Sequence, residues 1–240
     1  MKYTIVTGAA SDIGKAISGR LAANGHNLLL IDIDEQTLND FANSLKKTQN
    51  HLCLPLDFSK VEETEDKLKD FIEKNDIVVV NAVFAAGVFS IKPLRMIKYD
   101  YYLKSMNIAI FSILQIMKIV TSRKINKDGF MSAVIISSIS AKVGTKGYVL
   151  YGTIKAALLG MMRSMAVELA PARINAILPG SIRTKATSFI YEGIENVNPR
   201  SLLGEGKPDD IANLIGFLLS DESKWITGQD FVIDGGTTIN

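Results

Sequence analysis

Tyr3-Thr4-Ile5-Val6-Thr7-Gly8-Ala9-Ala10-Ser11-Asp12-Ile13-Gly14 decides how this chain folds. The apolar run Tyr3–Thr7 reads as a short strand. It runs into a glycine-containing turn. Beyond the turn, Ile13, Ile17 and Leu21 recur at helical spacing, and Gly25 stands where a helix C-cap is needed. Strand, glycine turn and helix form the setting in which such a sequence holds a phosphate. The backbone lets a pyrophosphate come close, and the helix N-terminus offers N–H groups and positive potential.

Reading outward, Leu28–Ile31 is a second strand ending at Asp32, 18 positions after Gly14. That spacing suits a carboxylate that accepts from a ribose. Asp32 is alternatively the N-cap of a helix carrying Leu38, Phe41 and Leu45, although Asp34 competes for the cap and would leave Asp32 free. His51–Leu56 reads as a third strand, and Pro55 makes it an edge strand, as the order 3-2-1-4-5-6 requires. Asp57 ends it, and Ser59 with Glu62 predicts a capping box for a helix to about Lys74. Ile77–Val80 is a fourth strand. A helix over 99–122 carries Leu103, Met106, Ile110, Ile113, Leu114 and Met117, with the polar Asn107 among them.

A fifth strand, Ala133–Ile136, precedes a helix over 151–169 that carries Leu158, Met161, Met162, Met165 and Leu169. The last strands are Arg173–Leu178 and Phe231–Ile233. Between them lies the aperiodic segment 181–206, then a helix with Pro208 at its first position, ending at Leu219. This alternation predicts an α/β fold: one doubly wound, parallel, seven-stranded sheet with helices on both faces, in a single domain over 1–240.

Composition agrees. The chain has 240 residues, 47% hydrophobic and 22% charged, and a net charge of +2. It is globular, and the charge gives no reason to expect nucleic acid or a membrane surface as partner. Cys53 is alone, and His26 and His51 lack a partner pattern, so no disulfide or metal site is expected. The start of the chain lacks the apolar stretch of a signal peptide, no run is expected to reach the length of a membrane span, and a cytoplasmic enzyme is the default.

The chemistry concentrates in Ser138, Tyr151 and Lys155. Tyr151 and Lys155 lie four positions apart, so they share one helix face about 6 Å apart along the axis. The strand end and loop before the helix can bring the Ser138 hydroxyl to that face. A phenol is a poor base at neutral pH, but a nearby ammonium favours its phenolate form. Such a trio can pass a proton to or from a carbonyl or alcohol oxygen. Tyr and Lys four apart are commonplace alone; the serine and the surrounding motifs give the pattern meaning.

Together these residues resemble the short-chain dehydrogenase/reductase family across essentially the whole chain. Thr7–Gly14 is similar to its TGxxxGxG turn, with Asp12 where the middle glycine is usual. Leu56-Asp57 resembles its adenine-binding site, Asn175–Thr184 its NAxxPGxxxT segment, and Ile226–Gln229 with Val232–Gly236 its C-terminal signature. Asn107, Ser138, Tyr151 and Lys155 match its catalytic tetrad. The motif after strand four fits two registers, Asn81-Ala82-Val83 or Phe84-Ala85-Ala86-Gly87.

The resemblance implies a Rossmann-fold oxidoreductase that transfers a hydride between a nicotinamide cofactor and an alcohol or ketone. Tyr151 would be the acid/base, Lys155 would lower its pKa and bond the nicotinamide ribose, Ser138 would orient the substrate oxygen, and Asn107 would hold a linking water. The implied cofactor contacts are Gly8, Ser11, Asp12, Ile13, Gly14, Asp32, Ile33, Asp57, Phe58, Asn81, Ala82, Tyr151, Lys155, Pro179, Gly180, Ile182 and Thr184. NAD is favoured, because Asp32 repels a 2′-phosphate and Ile33 offers no cation to pair with it. The Asp12 side chain is expected to point away from the pyrophosphate and to be merely tolerated. Segment 181–206 would be a substrate loop, with Phe189, Ile190 and Tyr191 making the pocket partly apolar beside Ile139, Ser140, Val143, Gly144 and Tyr148. Arg183 and Lys185 would meet an anion or stay solvated. A homodimer or homotetramer is implied through helices 99–122 and 151–169. A 3-oxoacyl reductase of fatty-acid type is a close alternative, and an NAD(H)-binding protein without turnover is a rival of another class.

Overall fold

β1 (Lys2–Thr7) is buried at every residue after its first, because it pairs on both sides and helices cover both faces. The computed structural model describes residues 1–45, 49–89, 91–127, 129–187 and 200–240. Around β1 lie β2 (Asn27–Asp32), β3 (His51–Pro55), β4 (Val78–Phe84), β5 (Ser132–Ile136), β6 (Arg173–Pro179) and β7 (Asp230–Ile233). All pairings are parallel, in the order β3-β2-β1-β4-β5-β6-β7. β3 is an edge strand, as Pro55 requires.

Among the described residues, six helices form the outer layers. α1 (Asp12–Ala23), α2 (Glu35–Ser44) and α6 (Pro208–Leu219) cover one face through Ile17, Leu21, Leu38, Ile211 and Ile215. α3 (Thr64–Lys74), α4 (Tyr99–Val120) and α5 (Val149–Glu168) cover the other through Leu68, Ile113, Ile116, Leu158 and Met162. α1 ends as Gly25 predicts: Gly25 takes φ +88°, its N–H bonds the Ala22 carbonyl, and the His26 N–H bonds the Leu21 carbonyl. Met162 and Met165 belong to the core, while Met161 is partly buried.

Four expectations are corrected. β4 does not stop at Val80 but continues to Phe84. Its pairing with β1 skips Val80, so Tyr3 faces Val79 and Thr4 faces Asn81. Before β5 begins, the buried Asn126 side chain serves β4 as a strand would, bonding both the N–H and the carbonyl of Val79 at 2.8 and 2.6 Å.

Ser59 and Glu62 form no capping box. The Ser59 N–H bonds the Asp57 carboxylate instead, and a 3-10 turn, Val61–Glu63, leads into α3. α4 is not uniformly α-helical, because a π turn occupies Asn107–Phe111. Finally, α4 does have the length and composition of a membrane span, with 22 residues and a mean hydropathy of 1.5. Half of that window is buried inside the protein, so its apolar stripe is a core stripe.

Candidate active site

The strand order reverses between β1 and β4, and a cleft at their C-terminal ends is where an open α/β sheet takes a ligand. On the β1 side the glycine turn is packed too tightly for a side chain at Gly8 or Gly14. A Cβ on Gly14 would lie 2.1 Å from the Gly8 carbonyl oxygen. One on Gly8, which has φ +67°, would lie 2.8 Å from the Ala86 nitrogen. Ser11 caps α1, its Oγ accepting from the Gly14 N–H and donating to the Gly8 carbonyl. Ile13 lies in the first turn of α1, beside Asp12.

Asp34 caps α2 through the Thr37 N–H, so Asp32 has no capping duty. Asp32 is not idle: its carboxylate accepts from the Ala10 N–H at 2.9 Å and from the Asp34 N–H at 3.1 Å, fastening the glycine turn to β2. Each oxygen keeps a second lone pair. Ile33 beside it is 66% exposed, an apolar surface at the cleft's edge. Burial would raise the Asp57 carboxyl, but hydrogen bonds from Ser59 and the charges of Lys104 and Lys60 hold it below its ordinary range. The Phe58 side chain is buried in the core, so only its backbone is available to a ligand.

Of the two registers after β4, Phe84-Ala85-Ala86-Gly87 is the one that meets the glycine turn. Asn81 and Ala82 are buried in mid-strand, paired with Thr4 and Ile5, three and two residues short of the strand end at Phe84. They cannot line the cleft, about 10 Å further along at strand spacing. Ala85 and Ala86 hold the expected place, both donating N–H groups to Thr7 Oγ1 at 3.2 Å. A Cβ on Gly87 would come 3.7 Å from the Lys155 ammonium.

On the β5 side, Ser138 starts a 3-10 turn and Lys155 sits on α5 behind it. The Lys155 Nζ donates to the Ile136 carbonyl at 2.9 Å and lies 5.6 Å from the centre of the Tyr151 ring. Burial pushes the Lys155 ammonium from 10.5 down to about 8. The Tyr151 phenol goes the other way from the expectation: burial raises it, a hydrogen bond with Ser138 pulls it back, and Tyr148 raises it again. Thus the lysine does not lower the phenol here; both groups are shifted toward neutrality by loss of water. Phe89 and Tyr148 meet the Tyr151 ring edge-on, at 5.3 and 5.7 Å between centres.

Asn107 opens the π turn of α4, and its side chain donates to the Ser59 carbonyl at 2.9 Å. At the end of β6, Pro179 closes the strand and Gly180 packs against Asp234, where a Cβ would meet it at 2.7 Å. The Ile182 side chain is buried in the core, leaving its backbone for a ligand. The Thr184 hydroxyl lies 3.0 Å from that of Thr187. Arg183 is paired with Glu205 at 2.7 Å, which takes it from the anion role. Asp12 does reach a partner, accepting from the Lys185 N–H at 2.6 Å. Phe189, Ile190 and Tyr191 lie outside the described residues.

Phe89, which packs edge-on against Tyr151, was missed by sequence reasoning, and Ala85-Ala86-Gly87 stood there only as one of two registers. The observed end of β4 at Phe84 would have separated the two registers.

A family model described as "Enoyl-(Acyl carrier protein) reductase" matches residues 8–238. The chain belongs to the short-chain dehydrogenase/reductase family. It is 31% identical to 3-oxoacyl-(acyl-carrier-protein) reductase FabG of Thermotoga maritima, over 99% of this chain and 98% of that one. It is 30% identical to L-2,3-butanediol dehydrogenase of Corynebacterium glutamicum, over 100% and 99%. The structure of a 4-hydroxyisoleucine dehydrogenase complexed with NADH superposes with a TM-score of 0.89 at 26% identity, covering 100% of both chains. This short-chain dehydrogenase/reductase is therefore a nicotinamide-dependent oxidoreductase of alcohols and ketones.

The residues fit a dinucleotide. The glycine turn brings bare backbone and the α1 N-terminus to the cleft, and Asp32 with exposed Ile33 suits a ribose and an adenine face.

Proposed function

We propose that the protein is a dehydrogenase/reductase with a preference for NAD(H), in which Tyr151 exchanges a proton with the substrate oxygen. The observation that carries this is the Tyr151 phenol, eased toward its charged form by the Ser138 hydroxyl and one helical turn from the buried Lys155 ammonium, at the ligand edge of the sheet. When bound, the nicotinamide supplies or accepts the hydride. Ser138 holds the substrate oxygen against the phenol. Burial of Lys155 keeps water from the site and leaves its charge unscreened, so it stabilises negative charge on the phenol once oxygen ligands share the cleft. Asn107, Ser138, Tyr151 and Lys155 are the groups we assign to the reaction.

We assign the cofactor to Gly8, Ser11, Ile13, Gly14, Asp32, Ile33, Asp57, Pro179, Gly180 and Thr184, with backbone contributions from Phe58, Ile182 and the Ala85–Gly87 turn. We propose one domain over 1–240, with 181–206 as the substrate loop. The aromatic walls, Phe89 and Tyr148, favour a substrate with an apolar group next to the reacting carbon. Assembly as a dimer or tetramer is supported by apolar side chains left in solvent on α4 and α5, notably Phe111, Leu114, Val149 and Val167. The similarity to FabG supports a 3-oxoacyl thioester as the second reading.

A turnover screen with NAD⁺ against alcohols, diols, hydroxy acids and steroids, and with NADH against 3-oxoacyl thioesters, tests both. Oxidation of one alcohol class with NAD⁺ over NADP⁺ supports the first. NADH binding without turnover of any substrate would turn the reading into that of a binding protein.

A further inference from the structure

Asp12 stands where the family turn has glycine, and its side chain reaches a segment beyond β6. Its carboxylate accepts from the Lys185 N–H at 2.6 Å, a contact between positions 173 apart in sequence. The segment it grips is braced within itself. Thr187 Oγ1 donates to the Ile182 carbonyl and accepts from the Thr184 N–H, each at 3.1 Å. The segment is also anchored at its base, where Ile182 bridges Gly206 and the Arg183 N–H bonds the Gly206 carbonyl. Residues 182–187 thus form a strap fixed at one end to the β6 side. Asp12 is the fastening that joins its other end to the β1 side.

We propose that Asp12 is a positioning residue that clasps this strap over the cofactor turn and so slows departure of the dinucleotide. The proposal rests on the NAD(H)-binding reading above. With the clasp made, the peptide between Thr184 and Lys185 has a fixed place over the cleft, and a dinucleotide lying along the turn leaves only after the Asp12–Lys185 bond opens. A glycine at position 12 removes this fastening and leaves the hold at the strap's base in place. The carboxylate also suits the start of α1. That local role depends on charge and the clasp depends on an acceptor atom, so asparagine separates them.

The test uses Asp12→Ala and Asp12→Asn. NADH release is followed by stopped-flow fluorescence, and exchange of the Lys185 amide hydrogen is followed in the free protein. Asp12→Ala is expected to release NADH about 10-fold faster, the scale of one lost hydrogen bond to a charged group. It also speeds exchange of the Lys185 amide, and it raises KM for NADH without lowering kcat. Asp12→Asn, whose amide oxygen accepts from the same N–H, restores slow release and amide protection. Equal release rates in Asp12→Ala and the parent overturn the proposal, as does an Asn variant that behaves like Ala. If the parent fails to bind NADH, the cofactor reading falls, and the amide exchange alone decides whether the clasp exists.

Discussion

The β1–α1–β2 edge of the cleft and the β5–α5 edge hold their polar groups in opposite ways. At the first, Asp32, Ser11 and Thr7 all bond neighbouring backbone, and steric closeness fixes the turn: no Cβ fits at Gly8 or Gly14. At the second, an ammonium is sealed in the core against the Ile136 carbonyl, and burial moves it and the adjacent phenol away from their charged forms. The first edge is a finished mould for a ligand. The second carries a free-energy cost in the empty protein, the usual mark of groups arranged for chemistry rather than stability.

The largest expected effect lies in the mould. Gly14→Ala places a methyl 2.1 Å from the Gly8 carbonyl, so the turn must open. NADH affinity should fall by at least about 100-fold, with a loss of about 1–3 kcal/mol in stability. Gly19→Ala in the same helix has nothing within 4 Å and should gain about 0.5–1 kcal/mol with binding unchanged. Fluorescence titration and thermal melts check both; equal behaviour of the two variants would remove the steric half of the comparison.

Lys155→Met should do the reverse of Gly14→Ala: turnover is lost while the protein becomes more stable. The folded Lys155 releases its proton near pH 8, whereas an unfolded lysine does so near 10.5. Below pH 8 the native state therefore bears the full cost of the buried charge, about 3 kcal/mol at 1.36 kcal/mol per unit. Between pH 8 and 10.5 the unfolded state binds more protons, so stability rises with pH and the cost fades. After losing about 1 kcal/mol for the bond to Ile136, the Met variant should gain about 2 kcal/mol at pH 7 and lose that advantage toward pH 10. Denaturant melts across that range decide it, and destabilisation at pH 7 would contradict the account of this edge.

The smallest effect concerns selectivity. Asp32→Ala with Ile33→Arg should shift preference toward NADP(H) by about 10-fold or more, as a cation replaces a repelling carboxylate. Because Asp32 also holds the Ala10 and Asp34 N–H groups, the melting temperature should drop too. The ratio of the two cofactors' affinities is the quantity to measure.

These contrasts track what the sequence could disclose. The mould is local: strand, turn, cap and helix lie within Lys2–Gly25, where propensity and spacing act directly. Tyr151 and Lys155 share one helix, so their juxtaposition was legible as well. The end of β4 was not, because the skipped residue at Val80 and the Asn126 plug depend on what lies beside the strand. That is why the motif after strand four fitted two registers, Asn81-Ala82-Val83 and Phe84-Ala85-Ala86-Gly87. The clasp by Asp12 was hidden for the same reason, its partner being remote in sequence. The direction of the Tyr151 shift depended on burial, which no spacing reports.

Turnover and NADH affinity of Tyr151→Phe, measured on one preparation, test the central claim most directly. The Phe ring keeps its contacts with Phe89 and Tyr148 and loses only the hydroxyl. The account predicts a rate loss of about 10²–10⁴ with NADH affinity unchanged, and loss of the parent's rise in alcohol oxidation as pH increases and the phenol gives up its proton. Near-parental turnover in the Phe variant, with the alkaline rise intact, would contradict it.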